Sequence, residues 1–232
     1  MNIRILHKSV IILAIIISGC SKGVRPLSKK GGEIIYDITY IENNLDKISA
    51  DMLPKKMVTQ YQNNKYTFEI EGFFGLFNIT NVIIPKESTN RSKLTVLSKK
   101  FYYEGELDET AVGFGMMPKM KFDHTGNTKN ICGFLCQEVL VTFPEDVRAD
   151  TLKVYYTKDI PLDKPNRSTP YKELNGVLLE FYLQLHKVEM KLTANSIYEK
   201  AILEQTFEKG DGFQKATKEY MEAVLFKLLD TE

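Results

Sequence analysis

The stretch VLLEFYLQL, residues 177–185, places Val177, Leu179, Phe181, Leu183 and Leu185 at every second position, with Glu180 and Gln184 between them. Side chains alternate across a pleated strand, so this spacing gives one wholly apolar face. On a helix the same residues would be scattered around the axis. VEMKL follows, with Val188, Met190 and Leu192 together and Glu189 and Lys191 opposite. The shift from odd to even positions requires a turn or bulge near His186 and Lys187. A sheet with so apolar a face must be covered by another layer.

Other segments repeat the pattern. EIIYDITYI (33–41) sets Tyr36 and Ile38 on one face. KMVTQYQ and KYTFEIEG, separated by Asn63-Asn64, read as a hairpin with Phe68 and Ile70 on one side of its second strand. FNITNVIIP and KLTVLSKKFYYEG, the latter with Leu94 and Val96, flank the polar stretch 86–92 and predict a second hairpin with a longer exposed loop. CQEVLVTF and LKVYYTKDI form a further pair, with Val154 and Tyr156 on one face. With 13 Phe, 12 Tyr and no Trp, the aromatic content suits strands.

Helical periodicity enters after GDG: Phe213, Ala216, Tyr220, Val224 and Leu228 recur at spacings of three or four, predicting a helix over 213–229 capped at Asp211 or Gly212. SIYEKAILEQTFE before it reads as a strand. Residues 106–118 lose any period and read as a mobile connection, or alternatively as a lid over a cavity, with Phe114, Met116 and Met117 as soft apolar groups. The expected fold class is α+β and β-rich: a strongly curved antiparallel sheet with the C-terminal helix packed on its open side.

The N-terminus reads as an address. Arg4 and Lys8 precede the apolar run VIILAIII (10–17), which ends in Ser18 and Gly19 before Cys20. A membrane-spanning helix needs roughly 20 apolar residues, so this shorter run reads as a signal peptide over 1–19. ISGC resembles the lipobox of bacterial lipoproteins, which implies acylation of Cys20 and membrane attachment through that lipid, and Ser21 rather than Asp after Cys20 implies, by the same resemblance, an outer-membrane location. Residues 20–32, rich in Gly, Ser and Lys, read as a tether, and 33–232 as one domain. Without residues 1–19 the chain holds 29 basic and 30 acidic side chains, which gives no electrostatic reason to bind nucleic acid. A monomer is expected.

Few residues have the setting that chemistry needs. Asp123-His124 and His186-x-x-Glu189 are the places where an imidazole has a carboxylate nearby in sequence, and both read as solvated turn residues. Glu104 and Glu106 share a strand face and read as solvent contacts. Cys132 and Cys136 in NICGFLC read as two small buried hydrophobes, or as a disulfide if the turn at Gly133 brings them near. Zinc lacks ligands, because beyond the signal peptide only His124 and His186 are available to complete a site. No metal, cofactor or catalytic role is expected.

The blocks TKNICGFLCQEVLV, LKVYYTKDIP, YKELNGVLLEF and MKLTANSI carry a pattern that runs through Ile131, Gly133, Phe134 and Cys136, then Tyr156, Thr157, Asp159, Ile160 and Pro161, then Gly176, Leu178, Glu180 and Ala194. It resembles the DUF4412 and GLPGLI-type envelope lipoproteins. That resemblance implies a half-barrel like those of the LolA and LolB lipoprotein carriers. It also implies a non-catalytic module that holds a lipid or other hydrophobic ligand. Candidate ligand contacts are Tyr36, Ile38, Phe68, Ile70, Leu94, Val96, Val154, Tyr156, Leu179 and Phe181. The alternative is a structural or interaction lipoprotein with a solid core.

Overall fold

The computed structural model describes residues 31–43, 53–72, 75–115, 117–144 and 150–229. The expected signal peptide, Cys20, most of the tether and Met116 lie outside the described residues. Twelve strands form one sheet: β1 Gly32–Asn43, β2 Lys56–Gln62, β3 Lys65–Gly72, β4 Phe77–Ile84, β5 Thr89–Val96, β6 Lys99–Gly105, β7 Lys121–Ile131, β8 Phe134–Thr142, β9 Leu152–Thr157, β10 Val177–Leu185, β11 Val188–Glu199 and β12 Gln214–Lys215. One helix, α1, spans Lys218–Leu229.

The strand order is β12-β6-β5-β4-β3-β2-β1-β11-β10-β9-β8-β7. The chain therefore starts at the centre, meanders out to β6, and returns from the far edge at β7 to β11, which pairs with β1. Local hairpins follow from turn chemistry. Asn63 and Asn64 both take left-handed φ, 51° and 65°, and join Gln62 to Lys65 across β2 and β3. His186, at φ 54°, makes the expected turn that sets Leu185 opposite Val188.

Several expectations change. The sheet is open and only weakly curled, with β7 and β12 as unpaired edges, so strong curvature is not what encloses the core. It is also mixed, because β12 runs parallel to β6. KLTVLSKKFYYEG is two strands, broken at Leu97 and Ser98, and β5 takes in half of the polar stretch assigned to a loop. Asn90 and Ser92 are buried there because they bond inward: Asn90 Nδ2 donates to the carbonyls of Glu106 and Glu109, and Ser92 Oγ to Asn81 Oδ1. SIYEKAILEQTFE is strand only as far as Glu199, and then forms a 3-10 turn at Glu204–Phe207.

The helix begins later than the apolar spacing suggested. Thr217 Oγ1 accepts from the Tyr220 amide at 3.2 Å, so the N-cap is Thr217 rather than Asp211 or Gly212. Phe213 precedes β12 instead. The buried line of α1 is Met221, Leu225 and Leu229, while Tyr220 is half exposed.

The main core lies on one face of the sheet, under α1 and two irregular segments, 106–118 and 158–176. Strand β4 is buried on both faces. Phe77, Ile79 and Ile83 join that core, and Val82 and Ile84 pack on the other side with Ile202 and Phe207.

Candidate functional site

Segment 158–176 is held over the sheet by its own polar groups. Asn166 Nδ2 donates to the carbonyls of Leu174 and Gly176 at 2.7 and 2.9 Å. The Tyr171 hydroxyl donates to Tyr182 O at 2.7 Å, and Tyr66 donates to Lys164 O at 3.1 Å. Residues 106–115 are fixed as firmly. Val112 N donates to Ser92 Oγ, Ala111 N to Ser168 O, and Lys218 on α1 reaches Glu109 and Thr110 O. Ala111, Val112 and Phe114 are buried, so this stretch is a packed cover rather than a free lid.

Between cover and sheet lies an apolar cavity of about 30 Å³. That is room for one or two waters, far below the several hundred Å³ of a usual ligand pocket. Tyr36, Phe68 and Phe181 line it, with Tyr36 edge-on to Phe181 at 5.6 Å between ring centres. The Tyr36 hydroxyl donates to Leu178 O at 2.9 Å, and burial pushes the Tyr36 and Tyr66 hydroxyls well above the ordinary phenol range. Both therefore stay neutral.

The other candidate contacts are placed elsewhere. Ile70 borders a second void of about 10 Å³ beneath Leu53 and Leu229. Leu94, Val154, Tyr156 and Leu179 are buried in continuous core, and Ile38 and Val96 pack at its margin. Of the cover residues that complete the cavity, Phe114 belongs to the stretch read alternatively as a lid, whereas sequence reasoning missed Asn166, Thr169 and Tyr171. No periodicity marks an irregular segment as core; the one available signal was the three prolines of 160–171.

Outside the cover is a larger space, a groove of about 370 Å³ between residues 110–122 and 170–173. Met117, Met120, Phe122 and Pro170 give it an apolar floor, and Lys119, Lys172 and Glu173 stand around it.

The opposite face of the sheet carries two buried carboxylates. Glu138 accepts from Tyr155, Thr125 and Asn127 at 2.6, 3.0 and 3.0 Å. Glu180 is held between Lys129 and Lys191 at 2.6 and 2.7 Å, and Lys129 also lies 4.9 Å from the Tyr155 ring centre. Burial alone would raise the Glu180 pKa, but the two ammonium groups outweigh it and leave the carboxyl lowered. Carboxylates paired in this way cross-link neighbouring strands.

The remaining chemical candidates have partners of other kinds. His124 on β7 packs against the Tyr156 ring, and His186 stacks on Phe226 at 4.8 Å. Glu104 pairs with Arg91. Cys132 and Cys136 are free thiols rather than a disulfide. Cys132 sits in the turn at φ 50° and donates to Ala194 O, while Cys136 is two residues down β8 from Phe134, the residue that closes the turn, which adds roughly 7 Å. Among the described residues no cluster of side chains could hold a metal ion, and no helix is long and apolar enough to cross a membrane.

No known family model matches the sequence, and no curated protein matches it significantly.

Proposed function

We propose that this chain is a lipid-anchored envelope protein, attached through Cys20, whose folded part binds a hydrophobic ligand without catalysing a reaction. The lipobox-like ISGC supports the anchor. The resemblance to GLPGLI-type lipoproteins supports the carrier-like role and, for the fold, a flattened relative of the LolA half-barrel. The observation that carries the binding reading is the 370 Å³ groove, which falls in the size range of small-molecule sites and combines an apolar floor with a charged rim. On this reading the ligand occupies the groove outside the cover.

A second reading, a solid-cored interaction protein, draws on the same structure, because the interior void of about 30 Å³ cannot take an acyl chain as it stands. Protein purified without detergent from its own host and examined by native mass spectrometry separates the two. A bound amphiphile released on denaturation supports the first. A ligand-free mass, together with no uptake of a fluorescent fatty acid, supports the second. Labelled palmitate tests the anchor: it should enter the wild-type protein and not Cys20→Ser.

A further inference from the structure

Phe114 borders both the interior cavity and the outer groove. Phe114, 4% exposed, is common to the linings of a space of about 30 Å³ and one of about 370 Å³. We infer that Phe114 is a gate, and that the ligand is a single-chain carboxylate whose head rests in the groove while its tail displaces the Phe114 ring and enters the interior. This rests on the hydrophobic-ligand reading above.

The backbone beside the gate is closely packed. Gly113 has φ +89°, and a Cβ added there would meet Leu185, Ile79 and Leu225 side chains at 3.1 to 3.3 Å, so the chain is pressed onto the core. Phe114 N donates to Ala111 O in a tight turn. The movable part is the ring itself, turning about its side-chain bonds. What lies behind the ring suits a tail: Phe68, Phe181, Leu183 and Met57 face the cavity.

One polar group there is unsatisfied. Thr59 is 2% exposed, borders the cavity, and approaches the Tyr36 hydroxyl without making a hydrogen bond to any described residue. A buried hydroxyl left in this state is costly, and a water in the cavity would relieve it. On the groove side, Lys119 and Lys172 are exposed cations that can pair with a carboxylate head.

The test uses the full chain and the fluorescent fatty acid 11-(dansylamino)undecanoic acid in stopped flow. The wild type should bind slowly, Phe114→Ala about tenfold faster, as expected when a packed ring no longer has to be displaced, and Phe114→Trp more slowly. Phe114→Leu, which keeps more of the packing, serves if Phe114→Ala melts early. Equal rates for all variants overturn the gate and leave the ligand reading intact, whereas no binding by any form overturns both. Binding by Phe114→Ala alone also overturns the gate, since the space would then be the substitution's own. Replacing Lys119 and Lys172 by Met should weaken the acid probe about threefold and leave the matching alcohol unchanged; equal loss for both overturns the carboxylate assignment.

Discussion

Tyr155 donates its hydroxyl hydrogen to Glu138 Oε2 over 2.6 Å, tying β9 to β8. That hydrogen bond, followed by the one from Asn127, holds the Glu138 carboxyl down to about 2, against an ordinary 4.5. A lowered folded-state pKa stabilises the protein above the unfolded value, and the stabilisation disappears as pH falls from 4.5 toward 2. Glu138→Gln should therefore lower the urea midpoint at pH 7, and the gap to wild type should close over that acid range. A gap that is the same at pH 7 and pH 2 contradicts the assignment.

The same bond has an alkaline signature. Tyr155 is pushed up to about 12, first by the Glu138 hydrogen bond and then by burial. For this acid the neutral form is the one folding favours, so its contribution is complete below pH 10 and declines between 10 and 12. Tyr155→Phe should be less stable than wild type at pH 8 and lose less on going to pH 12. Urea melts at the two pH values read this directly, and parallel losses would refute it.

Glu180 gives a prediction of coupling. Its side chain is 6% exposed, whereas Lys129 and Lys191 are 45% and 32% exposed. Removing both lysines as Met leaves a buried carboxylate without a counter-charge. The expected loss is about 2 kcal/mol, less than for a fully buried pair because solvent screens the exposed lysine heads. Adding Glu180→Gln to the double variant should restore most of that loss, because the uncompensated charge is then gone. Non-recovery in a denaturant titration would show that the lysine stems, not the charge, carry the effect.

The strands with one apolar face were legible because two-residue alternation survives in the sequence: β1, β3, β8, β10 and β11 all show it. Strand β7 was missed because it is an edge, exposed along nearly its whole length, and its HTGNT carries a bulge at Gly126, φ +79°, in place of a clean period. The site was legible only in part. Tyr36, Phe68 and Phe181 could be found from strand periodicity, but the cover is made of turns whose burial depends on long-range bonds such as Ala111 N to Ser168 O. Glu180 was read as marking the polar face, and no local pattern announces that two lysines from β7 and β11 enclose it.

The cysteines test the turn geometry. Burial pushes the Cys136 thiol up to about 12, and burial also raises Cys132, which remains exposed in its turn. Only the thiolate reacts. In native Cys20→Ser protein, iodoacetamide at pH 8.5 should modify Cys132 slowly and Cys136 not at all, with both modified in denaturant. Peptide mapping by mass spectrometry checks this, and a linked Cys132–Cys136 peptide from non-reduced protein would contradict it.

Leu97 combines two features that cost stability without an apparent return. It takes a left-handed φ of 55° at the turn between β5 and β6, and it is 62% exposed. Its Cβ crowds the carbonyl in that conformation, at roughly 1–2 kcal/mol for an L-residue, and Asn relieves part of this through local hydrogen bonding. The amide must be kept, because Leu97 N donates to Leu76 O at 2.7 Å and so joins this turn to the start of β4. Leu97→Asn should therefore raise stability by about 0.5–1 kcal/mol, seen as a higher melting temperature. Leu97→Pro should lower it sharply through loss of the amide. Replacement by Ile should also lower it, since β-branching worsens the same crowding. An Asn variant that melts below wild type would mean that the exposed leucine gains from contacts made in the folded protein, beyond its strained backbone.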